Sequence, residues 1–131
     1  MSDILTFLRA RLDEDEAAAK WASKGPWKLR AGGYVVGGPN DRDGGPAVSV
    51  ATGAQQWNGN HIIRHDPARV LREVAAKREL IAECENDHAG NSPDHYDGYW
   101  AAAFAFAAVY SDHSDYDSDW RLLTSIAPES P

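Results

Sequence analysis

His61 and His65 stand four residues apart in the segment HIIRH, a spacing that puts two imidazoles on one helical face, as a pair of metal ligands requires. Zinc is the ion such a pair suits, with further ligands to be drawn from His88, His95, His113 or Asp112 in polar stretches. Position 62 is Ile62, so the glutamate that acts as base in H-E-x-x-H is missing and a metalloprotease is excluded. The preferred reading leaves the pair without metal, one histidine packed at a helix start and the other in solvent.

The other chemical groups carry less. Asp115, Asp117 and Asp119 alternate like the first ligands of a calcium loop, but Trp120 replaces the glycine at the sixth position and Ile126 the glutamate at the twelfth. An EF-hand is excluded. Cys84 falls on the apolar side of a helical pattern, which predicts a buried, unreactive thiol. No G-x-S-x-G elbow surrounds Ser23, Ser49 or Ser92, and the pairs His65 with Asp66 and His113 with Asp112 are chain neighbours, an arrangement that rarely makes a triad. Without a nucleophile, base and orienter set, the expectation is a protein that is not an enzyme.

Tryptophan points elsewhere. Trp21, Trp27, Trp57, Trp100 and Trp120 are many indoles for 131 residues, and indoles both fill cores and anchor interfaces. Two or three are expected inside and the others free for a partner. Trp57 and Trp120, with Arg64, Arg72 and Arg78, form the candidate partner-binding set, and the arginine strip that also includes Arg69 suits acidic groups of a second copy, hence self-association.

Composition narrows the classes. With 43% hydrophobic residues the chain has the size and apolar content of one domain, 1–131, with a frayed tail from about 127. A net charge of −7 argues against direct nucleic-acid binding. An acidic surface can instead act as a decoy, occupying the nucleic-acid-binding site of a host protein. One cysteine cannot form an intrachain disulfide, and the charged first helix is no signal peptide, so a cytoplasmic protein is expected. The longest apolar run, Tyr99 to Tyr110, is short of the roughly 20 residues that a membrane span needs.

The elements that must position these groups follow from pattern. Ser2 to about Ala22 reads as a helix with Leu5, Leu8 and Leu12 inward and Ile4 and Phe7 at the edge, followed on the apolar face by Ala17 to Ala19 and then Trp21. Gly25 and Pro26 end it, and WKLR, GYVVGG and AVSVAT are short strands of an antiparallel sheet, joined by turn formers from Gly37 to Pro46. Trp57 is expected to plug the sheet edge or the start of the next helix, and Asn60 to cap a short turn, His61 to His65. Asp66 and Pro67 then open the central helix, whose stripe is Val70, Leu71, Val74, Ile81 and Cys84. A polar loop follows from Asn86 to Gly98. The alanine-rich YWAAAFAFAAVY makes the last helix, with Trp100 and Phe104 one turn apart, and Trp120, Leu122, Leu123 and Ile126 dock the acidic tail.

Several segments together carry a resemblance: ILTFLRARLDEDE, the GPW at Gly25 to Trp27, HIIRHDPARVLREVAAKRELI, and YSDHSDYDSDWRL. They resemble a family of small actinobacterial and actinophage proteins known only as a domain of unknown function. More loosely, GPW before a short sheet and an I-x-x-x-x-P-x-x-V-L helix is similar to the Ead-like early proteins of temperate phages. The resemblance implies a phage or prophage accessory protein and supplies no catalytic residue. Many relatives carry paired cysteines before the last helix, suited to zinc, whereas the loop from Asn86 to Gly98 here has none. His88 and His95 alone do not close a structural zinc site.

The expected fold is α+β: N-terminal helix, small antiparallel β-sheet, long central helix and an Ala-rich C-terminal helix. The expected function is non-enzymatic, binding or regulating a host or phage protein, with metal binding at His61 and His65 and the acidic decoy as alternatives.

Overall fold

The computed structural model describes residues 2–38, 48–87 and 93–123. The elements run α1 Ser2–Trp21, β1 Lys28–Arg30, β2 Tyr34–Gly37, β3 Val48–Ala51, α2 Gln56–Arg64, α3 Pro67–Asp87 and α4 Pro93–Ala107, followed by 3-10 turns at Ala108–Tyr110 and Ser118–Leu123. The fold is α+β and mostly helical, as the periodicities predict. Most of the loop before Pro46, His88, Ile126 and the tail from 127 lie outside the described residues, as do the side chains of His95, Leu122 and Leu123.

The chain divides into two compact units, Met1–Asp13 with Ala75–Pro131, and Glu14–Val74. In the first, Ile4, Leu5, Phe7, Leu8 and Leu12 of α1 are all buried, as are Ile81 and Cys84 of α3, Trp100, Ala103, Phe104 and Ala107 of α4, and Trp120. Ile4 and Phe7 therefore belong to the core of this unit and not to its edge. The reason is the aromatic cluster around Phe7: the rings of Trp120, His113, Tyr116 and Tyr110 stand edge-on at 5.1, 5.8, 5.9 and 6.3 Å, the arrangement that aromatic quadrupoles favour. Trp100 and Phe104, one turn apart, are both buried.

α4 begins five residues before the expected loop ends. Pro93 occupies a first-turn position, where its missing N–H costs nothing. Ser-Pro-Asp at 92–94 is itself a helix-start signature, and the polar composition around it masked that signal.

The second unit holds the three-stranded antiparallel sheet, ordered β1-β2-β3, with Leu29 opposite Val35 and Val36 opposite Ser49. A bulge lies between Val35 and Val36, and Val35 is fully buried. Gly33, at φ 81°, accepts from the Ala54 N–H at 3.0 Å; a Cβ there would meet the Ala54 carbonyl oxygen at 2.5 Å. Glycine is needed on both counts.

α2 departs from expectation at its start. It runs from Gln56, so Asn60 lies inside the helix and does not cap it, and Trp57 plugs nothing, being 85% exposed. The contact with the sheet is made by Gly59, whose absent side chain leaves room for Leu29: a Cβ would lie 2.6 Å from Leu29 Cδ1. Close approach of backbone to side chain replaces the expected indole plug.

The helices separate at His65 and Asp66, as the residue before a proline requires. Asp66 Oδ1 accepts the Arg69 N–H at 3.0 Å, which makes it the side-chain cap of α3. Along α3, Val74, Ile81 and Cys84 are buried, but Val70 and Leu71 are only half-buried. The stripe is therefore narrower at its N-terminal end than the sequence pattern implies.

Candidate functional site

The residues with unspent chemistry gather on α2. Trp57, His61, Arg64 and His65 recur at intervals of four, three and one, so they fall on one side of the helix, and all four are exposed. The imidazole centroids of His61 and His65 lie 4.5 Å apart with the rings tilted by 48°. His65 is the C-cap, at φ −110° and ψ 38°, and its N–H reaches the Ile62 carbonyl. That bond at 3.1 Å fixes where the second ring leaves the backbone.

Both histidines are thus in solvent, and neither packs at the helix start. Among the described residues no third His, Cys, Asp or Glu joins them to hold a metal. Of the further ligands the sequence offers, His113 is engaged elsewhere: its Nδ1 accepts from Arg11 Nη1 at 2.9 Å and from the Asp115 N–H at 3.0 Å. The alternating aspartates also have a local use, since Asp117 Oδ1 accepts the Asp119 N–H at 2.9 Å, an Asx turn.

The proposed partner-binding residues separate into two groups. Trp57, Arg64 and Arg72 are exposed. Arg78 is instead paired with Asp13 at 2.7 Å, and Trp120 is 8% exposed with its ring against Phe7 and Tyr116. An indole in that setting supplies core, so Trp120 does the docking that its position implied. Arg69, part of the same strip, is held by Glu73 at 3.0 Å and donates to the Arg64 carbonyl at 3.2 Å.

Trp21, 90% exposed at the end of α1, was not singled out for a partner. The pattern continues the apolar face of α1 through Ala17 to Ala19 to Trp21, and the structure corrects that: Ala19 is buried but the indole stands in solvent. Cys84 is buried, its Sγ 3.4 Å from the Tyr99 carbonyl oxygen, as a structural thiol should be. A hollow lined by Leu29, Arg30, Gly32, Gly33, Ala54 and Gln56 opens beside the start of α2. Arg30 is the one charged group among the described residues that line it.

Charge is unevenly shared along the chain. Residues 14–74 contain eight Lys and Arg against seven Asp and Glu, whereas residues 75–131 contain three against eleven. No described helix is long and apolar enough to cross a membrane.

Comparison with characterised proteins and with solved structures found no match. A family model described as a family of unknown function, DUF6221, matches residues 1–122. The span takes in both the Gly25-Pro26-Trp27 turn and the Asp66 cap, and the chain belongs to the DUF6221 family.

Proposed function

We propose that this chain is a non-enzymatic binding protein that engages a protein partner through the exposed side of α2 and the neighbouring turn of α3. The observation that carries the reading is Trp57, left 85% exposed on a helix whose opposite side is anchored by Gly59 against Leu29. A large indole in water is a latent anchor, because its burial in a partner removes much apolar surface. Arg64, two turns along the same helix, and Arg72 on α3 are exposed cations, which suits an apolar pocket rimmed by carboxylates. The groups with catalytic potential have structural uses that support the same reading: Asp66 caps α3, His113 receives Arg11, and Cys84 is buried.

The resemblance to small actinobacterial and actinophage proteins supports a phage or prophage accessory protein acting in the host cytoplasm on a host or phage protein. A second copy of this chain is one such partner, given its acidic 75–131 segment. Capture from host lysate with wild-type, Trp57→Ala and Arg72→Glu proteins tests the reading. A specific partner should be lost in both variants while far-UV circular dichroism and melting stay unchanged. Equal capture by all three would sink it.

The charge distribution favours a second reading. Asp112, Asp115, Asp117 and Asp119 are all exposed in one short segment, and such a segment can occupy a basic, nucleic-acid-binding site as a decoy. Capture that is abolished by salt and by substitution of these aspartates, but not by Trp57→Ala, would select it over the first.

A further inference from the structure

We propose that His61 and His65 form a two-histidine clamp for a borderline divalent transition metal, Cu(II) or Ni(II) before Zn(II), at the C-terminal end of α2. The clamp shares the exposed side of α2 with Trp57 but does not rest on protein binding there. Its basis is the spacing of the two rings, 4.5 Å between centroids with a tilt of 48°, on side chains that are both open to solvent. A nitrogen-bound metal sits about 2.0–2.1 Å from its ligand atom, hence about 3.2 Å from the ring centre. Two ring centres 4.5 Å apart subtend about 90° at an ion toward which each exposed ring turns a nitrogen. A tetrahedral ion would need them about 5.2 Å apart. The right angle is that of two cis ligands in a tetragonal or square-planar site, the geometry of Cu(II) and Ni(II).

The donor set agrees. Two imidazoles without a carboxylate suit borderline metals and not calcium or magnesium, which demand oxygen. Arg64 lies between the two ligands in sequence, and the guanidinium of Arg69 reaches the Arg64 carbonyl, so the local field opposes a cation. Affinity must therefore come from the metal–nitrogen bond, which again ranks Cu(II) first. Among the described residues no third His, Cys, Asp or Glu is gathered with the pair, and water or a group from a bound molecule would complete the coordination. The ion would bridge the last turn of α2 to its C-cap and so fix the corner that leads into Asp66.

Untagged protein titrated with CuCl2, NiCl2 and ZnCl2 by calorimetry tests the clamp, with melting curves and Cu(II) electron paramagnetic resonance alongside. The expected result is one saturable ion per chain, tightest for Cu(II), a raised melting temperature, and nitrogen hyperfine structure from two imidazoles. His61→Ala and His65→Ala should each weaken binding at least tenfold, whereas His88→Ala should not. Because both ring positions are exposed, circular dichroism of the metal-free variants should match wild type and separate lost binding from lost fold. Unchanged binding in the two variants, or no binding to the wild type at millimolar metal, would overturn the proposal.

Discussion

Asp66 Oδ2 accepts the main-chain N–H of Trp27 at 3.1 Å while its Oδ1 accepts that of Arg69 at 3.0 Å. One carboxylate, 8% exposed, therefore caps α3 and also holds the turn that leads into β1. The same turn is tied twice more, by the Trp27 indole N–H to the Ser23 carbonyl at 2.8 Å and by the Gly38 N–H to the Lys24 carbonyl at 2.7 Å. This joins two of the segments that carry the family resemblance, the Gly-Pro-Trp turn and the Asp-Pro helix start, through one side chain.

Replacing Asp66 should accordingly cost more than an ordinary cap. Asp66→Ala removes the cap, worth about 1 kcal/mol, and leaves the Trp27 amide without its acceptor, about 1–2 kcal/mol more. A loss of about 2–3 kcal/mol in urea unfolding is expected. Asp66→Asn keeps one carbonyl oxygen and should lose about half as much. An alanine variant within 0.5 kcal/mol of wild type would show, by the scale of surface substitutions, that the two bonds contribute little.

Two glycines give opposite expectations under the same substitution. A Cβ on Gly25 would lie 2.8 Å from Asp66 Oδ2 and 3.0 Å from its Cγ, and that carboxylate cannot yield without releasing an amide. Gly25→Ala should destabilise by about 1–3 kcal/mol. Gly98 lies within α4 with nothing within 4 Å of a built Cβ, so Gly98→Ala should stabilise by about 0.5–1 kcal/mol through helix propensity. Thermal melts of the pair check both signs at once, and a stabilised Gly25→Ala would contradict the close approach.

The stripe of α3, its Asp-Pro start and the three short strands were legible because each rests on local chemistry: a period, a cap, a proline, a turn. What was not legible depends on distant partners. The sequence around Trp57 does not say that Gly59 will meet Leu29, and with that side of α2 on the sheet the indole is left in water. Likewise Arg78 and Arg72 look alike along the helix, and only the fold puts Asp13 beside the first. The histidine spacing and the end of the short helix at His65 were legible, but not the ring separation that the C-cap geometry sets.

Val74 is the first buried residue of the apolar stripe of α3, at 4% exposed. Val74→Asp would place a carboxylate in a buried position, and an unpaired buried charge costs about 3 kcal/mol or more. Ala76, two residues on and exposed, provides the comparison: Ala76→Asp should cost less than about 1 kcal/mol, a propensity effect. Equal melting temperatures for the two variants would mean that the inward face of α3 has been misassigned.

His113 carries the last prediction. Arg11, 8% exposed, has only donors to offer, and its Nη1 points at His113 Nδ1 from 2.9 Å. The Asp115 main-chain N–H approaches the same nitrogen at 3.0 Å. Two donors on one nitrogen require a lone pair there, so the neutral ring must hold its proton on Nε2. Nitrogen-15 chemical shifts report this directly: at a pH where the ring is neutral, Nδ1 of His113 should resonate as a bare, hydrogen-bond-accepting nitrogen and Nε2 as a protonated one. Arg11→Lys should disturb the Nδ1 shift, because a lysine ammonium cannot also lie flat over the Phe7 ring, where the Arg11 guanidinium stands 5.1 Å from the centroid. A proton found on Nδ1 would mean that neither donor bonds to it, and the placement of residues 111–116 against Phe7 and Arg11 would have to be abandoned.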